Sequence, residues 1–312
     1  MNRHFPFCLT CCTVFIATLC ASSTALAKPR WSDFGPATAV LDTANSVAGG
    51  CPIESRDGLS LYMASSKAGG EGGLDIWVAH RPDKGSAFGM AENLGAPVNS
   101  AYNDYCPTPL NGKYLFFVST RPAEADGVAC GGGDIYLTRD NPAHGWDTPL
   151  NLGCAETGDG VNTSGGEFSP SLVEAGGNVY LYFSSDGTGD HDIYVSMMQP
   201  DGSFPPGVAV DELNTEFDDR MPNVSKDGLE IVYSSSRPTW GGGEAAFGSF
   251  DVYYAWRNSV DEPFSEPVNL GPGVNTADGE TRSSFSWDGE RVNFGRAGEI
   301  YVTEREKLRG PK

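Results

Sequence analysis

Short runs of alternating apolar and polar residues follow tight turns five times along this chain. Asp57-Gly58 precedes Leu59-Ser60-Leu61-Tyr62-Met63, Asn111-Gly112 precedes Tyr114-Leu115-Phe116-Phe117, and Gly176-Gly177 precedes Val179-Tyr180-Leu181-Tyr182-Phe183. Asp227-Gly228 leads into Leu229-Glu230-Ile231-Val232-Tyr233, and Asp288-Gly289 into Val292-Asn293-Phe294. A period of two after a turn of Asp, Asn and Gly is the pattern of a β-hairpin. No long segment places apolar residues at helical spacing, so the pattern predicts an all-β protein.

Two further signatures recur in fixed order around each hairpin. An Asn followed by Ser or Thr stands at Asn45-Ser46, Asn99-Ser100, Asn162-Thr163, Asn214-Thr215 and Asn275-Thr276. An acid leads an aromatic strand at Asp75-Ile76-Trp77, Asp134-Ile135-Tyr136, Asp192-Ile193-Tyr194, Asp251-Val252-Tyr253 and Glu299-Ile300-Tyr301. Each unit therefore reads as four short antiparallel strands. A sheet this small cannot bury both faces alone, and stacking five of them around an axis predicts a five-bladed β-propeller of four-stranded blades. The blades are expected near residues 46–99, 100–162, 163–214, 215–275 and 276–305. The fifth unit stops without an outer strand, and residues 31–41 resemble the outer-strand pieces of the others, so they are predicted to close the ring.

The N-terminus changes the compartment. Arg3 and His4 precede an apolar run from Phe5 to about Ala21, then Ala25-Leu26-Ala27, the layout of a cleavable secretory signal. Residues 1–27 are read as that signal and residues 28–312 as one propeller domain. The chain has a formal charge of −20. That balance argues against nucleic acid and anionic membrane surfaces, where Lys and Arg supply affinity. Cys51, Cys106, Cys130 and Cys154 remain after the signal, an even number suited to an oxidising compartment. Cys51 and Cys106 fall at equivalent inner-strand starts of adjacent blades, while Cys130 and Cys154 flank blade two on one face; these are the expected pairs.

The sequence of Asn-Leu-Gly, Val-Asn-Ser/Thr, an acid, a Pro, Ser-x-Asp-Gly, an aromatic strand, Ser-Ser-Arg, a Gly-rich loop and Asp-Ile-Tyr resembles the WD40-like propeller repeat of TolB-type periplasmic proteins. The likeness covers residues 31–305. It implies a propeller fold and an envelope compartment, and it carries no partner with it.

Candidate chemistry gathers at the inner strands. Gly49, Asp104, Glu167, Asp219 and Glu280 stand at equivalent positions, so four carboxylates are expected at one level of the channel. Such acids either bind backbone amides at the blade connections or form a ligand or cation site. Together with Arg220, Arg282 and Trp240 they are the candidate ligand-binding residues. The third-strand acids are expected to cap turns or to pair with Lys67, Arg121, Arg237 or Arg296. Blade three has Asp186 in place of the base, and Asp186, Asp190 and Asp192 form a weak candidate for Ca²⁺. The expectation is a non-catalytic propeller that binds an envelope protein or glycan at the acid end of its channel, with a carbohydrate-active enzyme as the alternative.

Overall fold

The computed structural model describes residues 31–40, 49–122, 129–240 and 243–308. The predicted signal and Asn45-Ser46 lie outside the described residues. Five antiparallel sheets follow one another as predicted. Their inner strands are Gly50–Glu54, Asp104–Leu110, Glu167–Ala175, Asp219–Val224 and Glu280–Phe285. Each pairs outward with the strand after its hairpin, then with the aromatic strand, then with a two-residue outer strand. Blade two carries a further two-residue ribbon piece at Gly145–Trp146, and a small ribbon of Thr239–Trp240 with Glu244–Ala245 extends from blade four.

Closure follows the sequence. Thr38–Ala39 is the outer strand of blade five, with Thr38 opposite Val302 and Ala39 opposite Tyr301. The clasp extends along the segment: Ser32 and Gly35 N–H groups donate to Glu306 and Glu304 carbonyls at 2.9 and 2.8 Å, and Val40 donates to Ile300 at 2.9 Å. Trp31 adds its ring beneath the Arg305 guanidinium at 4.4 Å.

The core is a set of layers between blades. Val173, Tyr182 and Ile193 of blade three pack against Ile231, Tyr233 and Tyr253 of blade four in one buried cluster. Stacked aromatic pairs from the second and third strands repeat as Phe117–Tyr136, Phe183–Tyr194, Tyr233–Tyr253 and Phe294–Tyr301. Burying a large apolar side chain is worth about 1.5–3 kcal/mol, so blade stacking carries most of the stability.

The inner strands share one irregularity. Cys51, Cys106, Ser169, Met221 and Arg282 have positive φ, from 48 to 59°, and each sits at a register shift in its blade. Non-glycine residues seldom take this conformation. The bulge turns these five side chains toward the axis, where Cys51 bonds to Cys106 and the Ser169 hydroxyl lies 3.3 Å from the Cys106 sulfur.

Candidate functional site

The four inner-strand acids are fully buried, at 0% exposure each. The Ser or Thr of the Asn-Ser/Thr signature holds them: the Ser100 N–H and hydroxyl donate to Asp104 at 2.6 and 2.7 Å, and Thr215 donates to Asp219 at 2.7 and 2.6 Å. Thr276 and Thr163 do the same for Glu280 and Glu167. The signature's Asn clasps the third strand, as Asn99 does by accepting from Ile76 N and donating to Ile76 O.

In three blades an arginine completes the lock. Arg121 reaches Asp104 at 2.9 Å, Arg237 reaches Asp219 at 2.6 Å and Arg296 reaches Glu280 at 2.8 Å. Each guanidinium lies over the aromatic ring of the third strand, 5.0 Å from Tyr136, 4.6 Å from Tyr253 and 4.3 Å from Tyr301. The predicted partners are therefore corrected: these bases pair with inner-strand acids and not with third-strand acids. Three of the five third-strand acids cap turns, as expected, whereas Glu299 accepts from the Tyr301 hydroxyl instead. Asp75 accepts from Glu71 and Gly72 N–H groups, Asp134 from Cys130 and Gly131, and Asp251 from Phe247 and Gly248.

Blade three breaks the pattern. Ser185 aligns with Ser119 and Ser235 opposite the inner acids, so Gly187 occupies the base position and Asp186 its neighbour. Asp186 accepts from Gly166 N at 2.5 Å and lies 3.9 Å from the His191 imidazole. Glu167 is left with hydrogen bonds on Oε1 only, from Thr163 and from Ser185 at 2.8 Å, and its buried Oε2 has no partner. Burial pushes this carboxyl up to about 7, against the lowering effect of the Thr163 and Ser185 hydrogen bonds. Glu280, also raised by burial, has Arg296 working in the opposite direction.

The calcium candidates do not converge. Asp186 is bound to Gly166, burial and the nearby Asp219 and Asp190 charges raise the Asp192 carboxyl, and among the described residues no cluster of His, Cys, Asp or Glu is placed to hold a metal ion. The Arg220 guanidinium lies over the Phe250 ring, 3.7 Å from its centroid. The Trp240 side chain lies outside the described ones; Phe247 is half-buried and its N–H caps Asp251. The two predicted disulfides are both present, Cys51–Cys106 and Cys130–Cys154, with Cα separations of 4.8 and 5.5 Å.

The described residues enclose a cavity of about 440 Å³ at the opposite end of the channel from the acids, lined by all five inner strands and their hairpins. The candidate carboxylates at the acid end are buried and hydrogen-bonded, and the cavity adds a candidate ligand face at the hairpin end. The turn chemistry explains how the cavity is furnished. Ser55, Ser225 and Ser286 hydroxyls donate to Asp57, Asp227 and Asp288 at 2.6, 2.7 and 2.6 Å, and Gly58, Gly228 and Gly289 supply φ of 72, 75 and 78°. The repeated residues thus bond to one another. The side chain of the residue between Ser and Asp takes no part in these Ser–Asp hydrogen bonds, and the equivalents of that residue in the five blades are Arg56, Asn111, Glu174, Lys226 and Trp287. All five are exposed and all five line the cavity. Arg56 donates to the Asn111 side-chain oxygen at 2.6 Å and lies over the Trp287 ring at 4.3 Å. The sequence reading singled out none of the five. In blades one, four and five their signal is the variable x of Ser-x-Asp-Gly.

No family model and no curated protein matches the sequence. Solved structures match the fold. The alpha-L-arabinofuranosidase from Lactobacillus brevis aligns at 13% identity over 84% of this chain and 92% of that one, with a TM-score of 0.52. The family-43 endo-arabinanase from Bacillus licheniformis aligns at 14% identity over 87% of this chain and 97% of its own, with a TM-score of 0.51. TolB from Acinetobacter baumannii aligns at 15% identity over 88% and 55%, with a TM-score of 0.44. At such identities the likeness to the arabinofuranosidase and the endo-arabinanase is one of fold alone, and the five sheets of the chain itself make it a five-bladed β-propeller.

Proposed function

We propose that this protein is a non-catalytic binding propeller of the bacterial envelope, periplasmic or secreted after cleavage near Ala27, which seats a partner in its hairpin-end cup. The observation that carries this is the ring of five variable, exposed residues converging on one cavity, while Asp104, Asp219 and Glu280 are each tied up by an arginine. A volume of about 440 Å³ lies in the range of small-molecule and glycan sites. Trp287 offers an aromatic surface, and Arg56, Asn111, Glu174 and Lys226 offer donors and acceptors around it. An aromatic face rimmed by such groups suits a sugar, whose own faces are apolar and whose edges are hydroxyls. A glycan is the favoured partner and a protein loop the other. The two disulfides and the TolB-type repeat support the envelope compartment.

Calorimetry against bacterial and plant glycans is the test. The expected result is saturable binding with the glycan recovered intact, weakened about tenfold or more by Trp287→Ala. Unchanged binding by that variant would remove the cup from the reading.

The propeller fold shared with arabinan-degrading enzymes keeps a second reading in place, a carbohydrate-active enzyme. Glu167 favours it: a buried carboxyl near 7 has the proton affinity of a general acid. Asp104, Asp219 and Glu280 are each held by an arginine, and a second free carboxylate beside Glu167 is what that chemistry requires. Release of new reducing ends from arabinan or peptidoglycan fragments, abolished by Glu167→Gln, would establish it.

A further inference from the structure

Arg282 is among the largest fully buried side chains of the described residues. It comes from the inner strand of blade five, whose neighbours in the ring are blades four and one, yet its Nη2 donates to the Pro107 carbonyl and the Thr108 hydroxyl of blade two at 3.2 and 3.1 Å. The side chain therefore crosses the channel. Its Nε and Nη1 have no partner. The residues that share its level from the other blades are Cys51, Cys106, Ser169 and Met221, none of them charged. No carboxylate contributes to its titration, and burial alone pushes the guanidinium down to about 9.

The position is also where blade five leaves the repeat. The other blades have Cys-Pro, Cys-Pro, Ser-Pro and Met-Pro, and blade five has Arg282-Ser283. Ser283 follows with a buried hydroxyl that has no partner either. A buried guanidinium without a counter-charge costs several kcal/mol, and proteins resolve this by pairing the charge. The chain is strongly acidic, but its inner-strand acids are spent on Arg121, Arg237 and Arg296 or, in Glu167, fixed by Thr163 and Ser185.

We propose that the channel holds a small inorganic anion of halide size against the free donors of Arg282. The occupant is small and monatomic because these donors are closed off from solvent, so the carboxylate of a ligand seated in the cup does not reach them. The anion replaces the missing carboxylate, neutralises the Arg282 charge where it crosses the channel, and ties blade five to blade two. This site is independent of what the cup binds.

Crystals grown in sodium bromide, with data collected at the bromine edge, test the placement. The expected result is one enclosed anomalous peak within hydrogen-bonding reach of the Arg282 guanidinium; bromide at surface positions only, or ordered water there, overturns it. Thermal melts in sodium chloride against sodium gluconate at equal ionic strength test the energetics. At halide tenfold above its dissociation constant the melting temperature should rise by about 3 °C, and Arg282→Met should lose that dependence. Superimposable wild-type melts in the two salts refute the proposal. Should the variant fail to fold, the wild-type bromide map and melts decide alone.

Discussion

The two ends of the inner strands are built on opposite principles. At the acid end Asp104, Asp219 and Glu280 repeat, and each is sealed by the same Ser or Thr and by an arginine over the same aromatic ring. Seven residues further on, Arg56, Asn111, Glu174, Lys226 and Trp287 do not repeat, and all are exposed on one cavity. A residue kept in most of the blades satisfies a need of the scaffold, which is stacking and closure. A position that differs in each blade answers to something that lies on the axis and touches all five at once. Repetition therefore separates scaffold from site, and blade three, with Glu167 unpaired, shows what the scaffold loses when one lock is incomplete.

Breaking a lock is expected to have the largest effect. Arg237→Met leaves Asp219 buried with Thr215 as its remaining donor, and removal of one partner of a buried pair costs about 3–5 kcal/mol. Urea denaturation measures it, and adding Asp219→Asn should recover most of the loss. A cost near zero would make the lock decorative and dissolve the contrast between the two ends.

Glu167 sharpens the contrast within the acid end. Its carboxyl sits near 7 in the folded protein and near 4.5 when exposed. The folded state therefore binds the proton more tightly, so its contribution to stability is complete below pH 4.5 and is lost as pH rises through 7. The loss is about 3 kcal/mol at most. In Glu167→Gln the fall in stability between those two pH values should flatten relative to wild type. Parallel stability profiles for the two proteins would show that an unseen base completes this lock after all.

The smallest effect is expected at the hairpin end. Glu174→Gln or Lys226→Gln changes an exposed side chain outside the turn's hydrogen bonds, and stability should stay within about 0.5 kcal/mol while partner binding changes. A thermal shift as large as that of the lock variants would assign these residues to the fold.

Much of this was legible in the chain because register is. Equivalent positions in a repeat become equivalent positions in space, so the blade number, the closure of Thr38–Ala39 on Tyr301 and Val302, and both disulfides could be placed by aligning units. The arginine partners could not. Ser119, two residues before Arg121, lies opposite Asp104 on one side and Asp134 on the other. Alternation gives Arg121 a choice of two carboxylates. Packing decides, because Asp134 is already turned toward the Cys130 and Gly131 N–H groups. The acids suggested a ligand face for the same reason: sequence shows that like charges gather at one level, and not that arginines seal them.

What the sequence determined by itself is the periodic part of the protein: strands, hairpins, blade count and closure, all set by local alternation and by turn residues that need no distant partner. Where the five inner strands leave a cavity, which acid lacks its base and where Arg282 points were decided by tertiary structure. Each depends on how inner strands from non-adjacent units converge on the axis, a geometry that exists only once the ring has closed.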